Sequence, residues 1–323
     1  MLVPILLFLL GFVLLIKGGD WFVDGAVGIA HRFHLPELLI GATVVSIGTT
    51  LPEVMVSSQA ALQGNAGISY GNAIGSVICN TSLIAAITIA ASPGKTNRKN
   101  LTLPAAFFAG AALIYSVIAW TSGRFERWQG ICFLIAFVVY MVISTLHMKK
   151  HPELAEEEEE EATAKDMPFW KELVLLIVGA AVIAIGANLL VNNGTLIAEA
   201  LGVPDAVIGL TMIALGTSLP ELVTAITSLI KGHGALSLGN VIGANLFNII
   251  LVSGMAITIS PFAIPAERTI AGINSSLVID LPVMWIVMGL LCIPALIKEK
   301  LSRWQGILLL CIYVAFTVFQ FVY

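Results

Sequence analysis

Gly48-Thr49-Thr50-Leu51-Pro52-Glu53 recurs as Gly216-Thr217-Ser218-Leu219-Pro220-Glu221, and each copy lies inside an apolar run. Proline lacks a backbone donor and crowds the carbonyl of the preceding turn. Glycine adds local freedom. A helix interrupted here leaves carbonyl oxygens unpaired beside a carboxylate. In lipid such an interruption survives only where it is buried in protein or lines a wet cavity. Two of them together make an oxygen-rich cavity suited to a cation.

The composition around the motif supports a lipid setting. Hydrophobic residues make up 58% of the chain and charged ones 11%, against about 25% charged in soluble domains. Mean hydropathy is +0.96. The chain therefore reads as an integral membrane protein whose partner is the lipid bilayer, and no basic patch indicates nucleic acid. Cys79, Cys132, Cys292 and Cys311 all fall in apolar segments without metal or disulfide spacing, and read as buried small hydrophobes. The first residues are apolar at once, with no basic region or small-residue cleavage site, and read as a first span.

Apolar periodicity predicts ten spans, at about 2–30, 36–62, 67–91, 102–120, 128–147, 169–199, 204–230, 235–260, 278–297 and 304–322. Residues 149–168 form an acidic linker between two blocks of five spans, 1–148 and 169–323. The Glu156–Glu161 run reads as a solvated segment, because it lacks the alternating ligands and turn glycine of a calcium loop. With the first loop inside, twelve Lys and Arg lie inside and three outside. That bias puts both termini outside and the linker in the cytoplasm of a plasma (inner) membrane protein. Lys17 and Asp20, one turn apart in the first span, read as an intrahelical pair.

Laid over one another, Ile40–Asn80 and Ile208–Asn248 align without a gap, with 15 of 41 pairs identical. The matches are mostly Gly, Pro, Thr, Asn and Glu, whereas chance similarity between apolar helices would match Leu, Ile and Val. Five spans is an odd number, so the second block enters the membrane in the opposite sense. The predicted fold is all-α, ten transmembrane helices as two inverted five-helix repeats, with broken helices at the midplane. A second paired segment follows the first: Gly71-Asn72-Ala73-Ile74-Gly75-Ser76 through Asn80, and Gly239-Asn240-Val241-Ile242-Gly243-Ala244 through Asn248. Its four glycines read as close-packing positions. Asn72, Ser76 and Asn80 share one helix face, and the amides of Asn80 and Asn248 are candidates to face the carboxylates.

Glu53 and Glu221 lie deep in their spans, where a charge costs roughly 2.5–3.5 kcal/mol, and neither motif holds a Lys or Arg. They must be protonated, hydrated or bound to a cation. The donors available are carboxylates, the hydroxyls of Thr49, Thr50, Thr217 and Ser218, carbonyls and amides. Such a set suits Ca²⁺, Na⁺ or Mg²⁺ and not zinc or copper, and its irregularity favours Ca²⁺ or several Na⁺. Ions that share ligands compete, which is the basis of exchange. Two membrane carboxylates can also carry protons, so H⁺/Ca²⁺ antiport is the alternative. No nucleophile–base set or phosphate loop points to an enzyme, and no cofactor is expected.

The paired GT(S/T)LPE and GNxIG(S/A)xxxN segments resemble the cation/calcium antiporter superfamily, in its prokaryotic sodium/calcium exchanger branch. The resemblance implies exchange of three Na⁺ for one Ca²⁺, with spans one and six sliding across the core. It implies Ca²⁺ ligation by Glu53 and Glu221 with the carbonyls of Thr49 and Thr217. It further implies sodium ligands at Ser46, Thr50, Ser76, the Ala214 carbonyl and Ser218, with Asn80 and Asn248 completing the centre. Ala244 stands where the second motif often has serine. Asn248 stands where potassium-dependent members have aspartate, which argues against potassium coupling.

Overall fold

A computed structural model describes residues 2–150, 167–201, 214–265, 269–270 and 272–322. The acidic run Glu156–Glu161, Gly209, Thr211 and Arg268 lie outside the described residues. The helices are α1 (Leu2–Arg32), α2 (Glu37–Leu62), α3 (Ala66–Ala91), α4 (Arg98–Ser122), α5 (Arg127–Lys150) and α6 (Phe169–Ala200). They continue as α7 (Ala214–Thr217), α8 (Leu219–Ile230), α9 (Gly234–Ile259), α10 (Ser276–Ile297) and α11 (Arg303–Val322). Among the described residues nine helices are long and apolar enough to cross a membrane, and α8 is a shorter apolar one. With α7 and α8 counted as one span, the order is the ten spans expected. The protein is an all-helical, multi-pass membrane protein. Lipid-facing side chains such as Leu6, Leu9, Val13, Val138 and Val142 are exposed on the bare protein. Cys79 is buried, but Cys132 and Cys311 are exposed on outer helix faces, so the expectation that all four thiols are buried fails for those two.

The inverted repeat is visible in packing that recurs from one half to the other. Both α3 and α9 contain a π-helical turn at the same place, Asn80–Ala85 and Asn248–Val252. Such a turn inserts one residue into the helical ladder and is frequent at functional sites. An ideal Cβ on Gly130 would stand 2.9 Å from the Gly254 carbonyl, and one on Gly306 2.6 Å from the Ala86 carbonyl. These glycines belong to Arg127-Trp128-Gln129-Gly130 and Arg303-Trp304-Gln305-Gly306, a further repeat at a longer offset than that of the glutamate motifs. In each, the glutamine Oε1 accepts a helix-entry N–H, from Glu126 and from Ser302, both at 2.7 Å. Two short pairings close opposite ends of the bundle. Strand β1 (Arg124–Phe125) lies antiparallel to β2 (Phe262–Ala263), and Lys95 bridges to Lys300.

Helices α1 and α6 run antiparallel in close contact along their length. Gly11, Gly18 and Gly25, evenly spaced along α1, face the α6 backbone at Gly186, Ile183 and Leu176. Gly179 and Gly186 return the contact. Without Cβ atoms the two backbones approach within reach of dispersion forces. The motif glycines work the same way. A Cβ on Gly48 would stand 3.0 Å from the Phe22 ring, and one on Gly216 2.6 Å from Val191 Cγ2. Their function is close approach, not the local freedom read from sequence.

Ion pairs tie this two-helix unit together and to the core. Arg32 donates to both carboxylate oxygens of Glu172 at 2.8 Å, joining α1 to α6. Lys231, at the end of α8, donates to Asp24 Oδ1 at 2.9 Å and pairs with Asp20 at 3.5 Å. The intrahelical Lys17–Asp20 pair is present at 3.9 Å, longer than either of these. His233 Nδ1 meets Glu37 Oε1 at 2.8 Å, closing α9 onto α2.

The expected helix breaks take different forms. In the second copy the helix stops at Ser218 (φ −88°, ψ 4°), and Pro220 falls in the first turn of α8. There its missing N–H has no intrahelical carbonyl to serve. In the first copy Pro52 sits inside an unbroken segment, Ser46–Leu62, preceded by a π-helical turn at Gly41–Val45. Two glycines of the second copy pack as the sequence leads one to expect. A Cβ on Gly239 would stand 2.0 Å from the Leu38 carbonyl, and one on Gly243 2.5 Å from Ala42 Cα. Around Gly71 and Gly75 no described residue comes within 4 Å, and the repeat counterparts of Leu38 and Ala42, at 206 and 210, lie outside the described residues. Gly239→Ala is expected to cost about 1–3 kcal/mol of overpacking. Thermal unfolding of this variant beside the unsubstituted protein in one detergent checks it, and an unchanged midpoint would refute it.

Candidate functional site

The two motif glutamates meet in the middle of the bundle. Glu53 and Glu221 are each 0% exposed and lie close enough to repel one another. None of their four carboxylate oxygens has a well-formed hydrogen bond among the described residues. The hydroxyls of Thr49 and Thr50, from the other half, flank Glu221. Cys79 and Ser218 lie in the same neighbourhood. Each glutamate helix also packs on the π-helical turn of the opposite half: α2 against Asn248–Val252, and α8 against Asn80–Ala85.

The unpartnered atoms converge here. Thr50 Oγ1, Ser218 Oγ and both amide atoms of Asn80 and of Asn248 are buried without partners among the described residues, like the carboxylates. Buried polar groups normally find partners, and a cluster that does not calls for a ligand or water. A lone pair of buried carboxylates costs several kcal/mol per ion. Neutral oxygens around two carboxylates make a hard-cation site of high ligand number and low charge. Ser76, buried one turn before Asn80, lies on the same helix. Ala214 opens α7, three residues before Thr217.

Ser46 differs from Thr50 and Ser218 because its proton is already committed. Its hydroxyl donates to the Gly41 carbonyl at 2.7 Å, closing the π-helical turn of α2, and lies 3.3 Å from Asn240 Oδ1. Ser253 repeats the device, donating to the Asn248 carbonyl at 3.0 Å. Tyr140 braces the α2 turn from α5, donating to the Ala42 carbonyl at 2.9 Å.

Sequence reasoning passed over Asn72 and Asn240 as site residues. Thr49 Oγ1 donates to Asn240 Oδ1 at 3.2 Å, and Thr217 Oγ1 donates to Asn72 Oδ1 at 3.2 Å. The signal was present as identical asparagines in the two repeats. It also passed over Thr224 and Ser228, which extend the buried face of α8 from Glu221 with hydroxyls that have no partner among the described residues. Their first-half counterparts, Val56 and Ala60, are apolar, so the repeat gave no hint.

Comparison with known proteins bears on the family and the fold. The family described as sodium/calcium exchanger protein matches residues 3–146 and 171–322. An uncharacterised membrane protein of Methanocaldococcus jannaschii is 36% identical over 95% of this chain and 94% of its own length. The sodium/calcium exchanger MaX1 of Methanosarcina acetivorans is 32% identical over 99% of both chains. A solved structure of the sodium-calcium exchanger NCX_Mj, soaked with 2.5 mM Na⁺ and 10 mM Sr²⁺, superposes with a TM-score of 0.82 at 32% identity, covering 97% of each chain.

If the unpartnered oxygens await a cation, Ca²⁺ stabilises the folded protein by mass action. Titrating Ca²⁺ onto the purified protein is expected to raise its unfolding temperature. Glu53→Gln and Glu221→Gln are each expected to abolish that rise, and a full rise in either variant contradicts a shared site.

Proposed function

The chain belongs to the sodium/calcium exchanger family of cation antiporters, and on that premise we propose that it exchanges Na⁺ for Ca²⁺ and extrudes Ca²⁺ from the cytoplasm. The observation that carries the reading is the buried Glu53–Glu221 pair together with buried neutral oxygens that have no partner among the described residues. The family is one of transporters, not enzymes, and it moves its ions without a cofactor.

In this reading Glu53 and Glu221 hold Ca²⁺ with the carbonyls of Thr49 and Thr217. Sodium takes the same carboxylates together with Thr50, Ser218, Ser76, the Ala214 carbonyl and Ser46. Asn80 and Asn248 line the centre with their amide oxygens. Ser46 serves as an acceptor only, since its proton is committed to the Gly41 carbonyl.

Charge explains why exchange is obligatory. One Ca²⁺ neutralises the two carboxylates, and so do two Na⁺. The empty site keeps two negative charges in a low-dielectric interior and is too costly to carry across the membrane. A third Na⁺, as the resemblance implies, makes each cycle move net charge. Ala244, in the place of a serine, and Asn248, in the place of an aspartate, leave this site with two formal charges. The working unit is two halves, 1–148 and 169–323, joined by the 149–168 linker. The basic loops put that linker and the Lys95–Lys300 bridge on the cytoplasmic side of the plasma membrane, with both termini outside.

Proteoliposomes loaded with Ca²⁺ test the coupling. An inward Na⁺ gradient is expected to release Ca²⁺ with saturable dependence on Na⁺, and a pH gradient alone is not. Release driven by the pH gradient, with none driven by Na⁺, replaces the sodium reading with proton exchange.

A further inference from the structure

Two threonine–asparagine contacts link the halves at the site. Thr49 of the first half donates to Asn240 of the second, and Thr217 of the second half donates to Asn72 of the first, both at 3.2 Å. The internal repeat maps one contact onto the other. Thr49 flanks Glu221, and Thr217 directly precedes Ser218, which lies in the neighbourhood of both carboxylates. We propose that Asn72 and Asn240 are positioning residues for the transported cation, each setting the motif threonine of the opposite half so that its oxygens face the ion. The proposal deepens the exchanger reading and rests on it.

The chemistry runs through the proton. A hydroxyl next to a cation must aim its proton away and offer a lone pair. An unconstrained hydroxyl rotates to suit its surroundings. The Oδ1 acceptor of the asparagine fixes the threonine proton on the far side, leaving the hydroxyl lone pairs and the carbonyl for the centre. Because each acceptor comes from the opposite half, the ion surroundings depend on how the halves are docked.

The two asparagines are held unequally. Asn72 Nδ2 donates to Ser57 Oγ at 2.8 Å and to the Glu53 carbonyl at 3.1 Å, so its amide is fixed at both ends. Ser69 adds a bond to the Ser57 carbonyl at 2.9 Å. In the second half, Ala225 stands in the place of Ser57, and Asn240 Nδ2 and Ser237 Oγ have no partner among the described residues. Asn240 leans instead on the first half, where the Ser46 and Thr49 hydroxyls both reach it. Asn72 therefore anchors to its own half and Asn240 to the other.

Double-mutant cycles on Ca²⁺ binding test the assignment, read by equilibrium binding of Ca²⁺ to the purified full chain. Losing one such hydrogen bond is worth roughly a fivefold weakening. Asn240→Ala and Thr49→Val are each expected to weaken binding by about that factor, and the double variant no further. Asn240→Ala with Thr217→Val is expected to multiply the two losses. Asn72→Ala is expected to couple with Thr217→Val and not with Thr49→Val. A merely structural role has no reason to follow this crossed pattern. Multiplicative losses in all four pairs, or unchanged binding in either asparagine variant, overturn the proposal. Should an alanine variant fail to insert, Asn72→Ser or Asn240→Ser removes the amide with less loss of volume and polarity and is read by the same criterion. Because the readout is Ca²⁺ binding, it stays decisive if flux measurements show that the counter-ion is not Na⁺.

Discussion

Two carboxylates sealed in an interior with no basic side chain beside them are the constraint from which the rest of this molecule follows. Protein interiors tolerate buried ions when they are paired and hydrogen-bonded. Here Glu53 and Glu221 have each other, which repels, and hydroxyls and amides, which neutralise nothing. In the proposed exchange, the missing positive charge is supplied by the cargo. A site that is stable only when loaded is a poor store and a good carrier, because whatever leaves must be replaced.

Symmetry brings the pair together, and departures from symmetry make the halves differ in what they do. The recurring glycines, π-helical turns and Arg-Trp-Gln-Gly helix starts hold two similar hairpins in opposite orientation. Within that frame Pro52 is absorbed in an unbroken helix, whereas the second copy stops at Ser218. Among the described residues, Asn240 Nδ2 and Ser237 Oγ have no partner, whereas Asn72 and Ser69 do. Such unevenness is expected of two similar units that must not be in the same state at once.

Much of this was legible in the chain. Runs of apolar residues long enough for lipid located the spans, because only a helix satisfies its backbone there. Polar identities repeated at a fixed offset located Glu53 and Glu221, because a buried charge is costly enough to stand out. What could not be read were features decided by distance between elements. Glycine at 48 signals permissiveness in one dimension, and only the Phe22 ring shows that it is a contact. The even spacing of Gly11, Gly18 and Gly25 passes for ordinary membrane composition until α6 lies against it. Gln129 and Gln305 escaped notice because their offset is longer than the one that aligns the two glutamate motifs. Thr224 and Ser228 have no counterpart to betray them.

The glycine seam between α1 and α6 bears on leakage. A carrier of this kind fails if its two entrances open together, because ions then run down their gradients uncoupled. Helices joined backbone to backbone along their length, and pinned by Arg32 and Glu172, act as one stiff rod. This rod presses on one motif through Phe22 and on the other through Val191. A rod has no independent motion for each end: displacement at one entrance is delivered to the other in the same movement. Protection against a short circuit is then a matter of rigidity. It needs no sensing of one gate by the other, only the absence of Cβ atoms at a few positions.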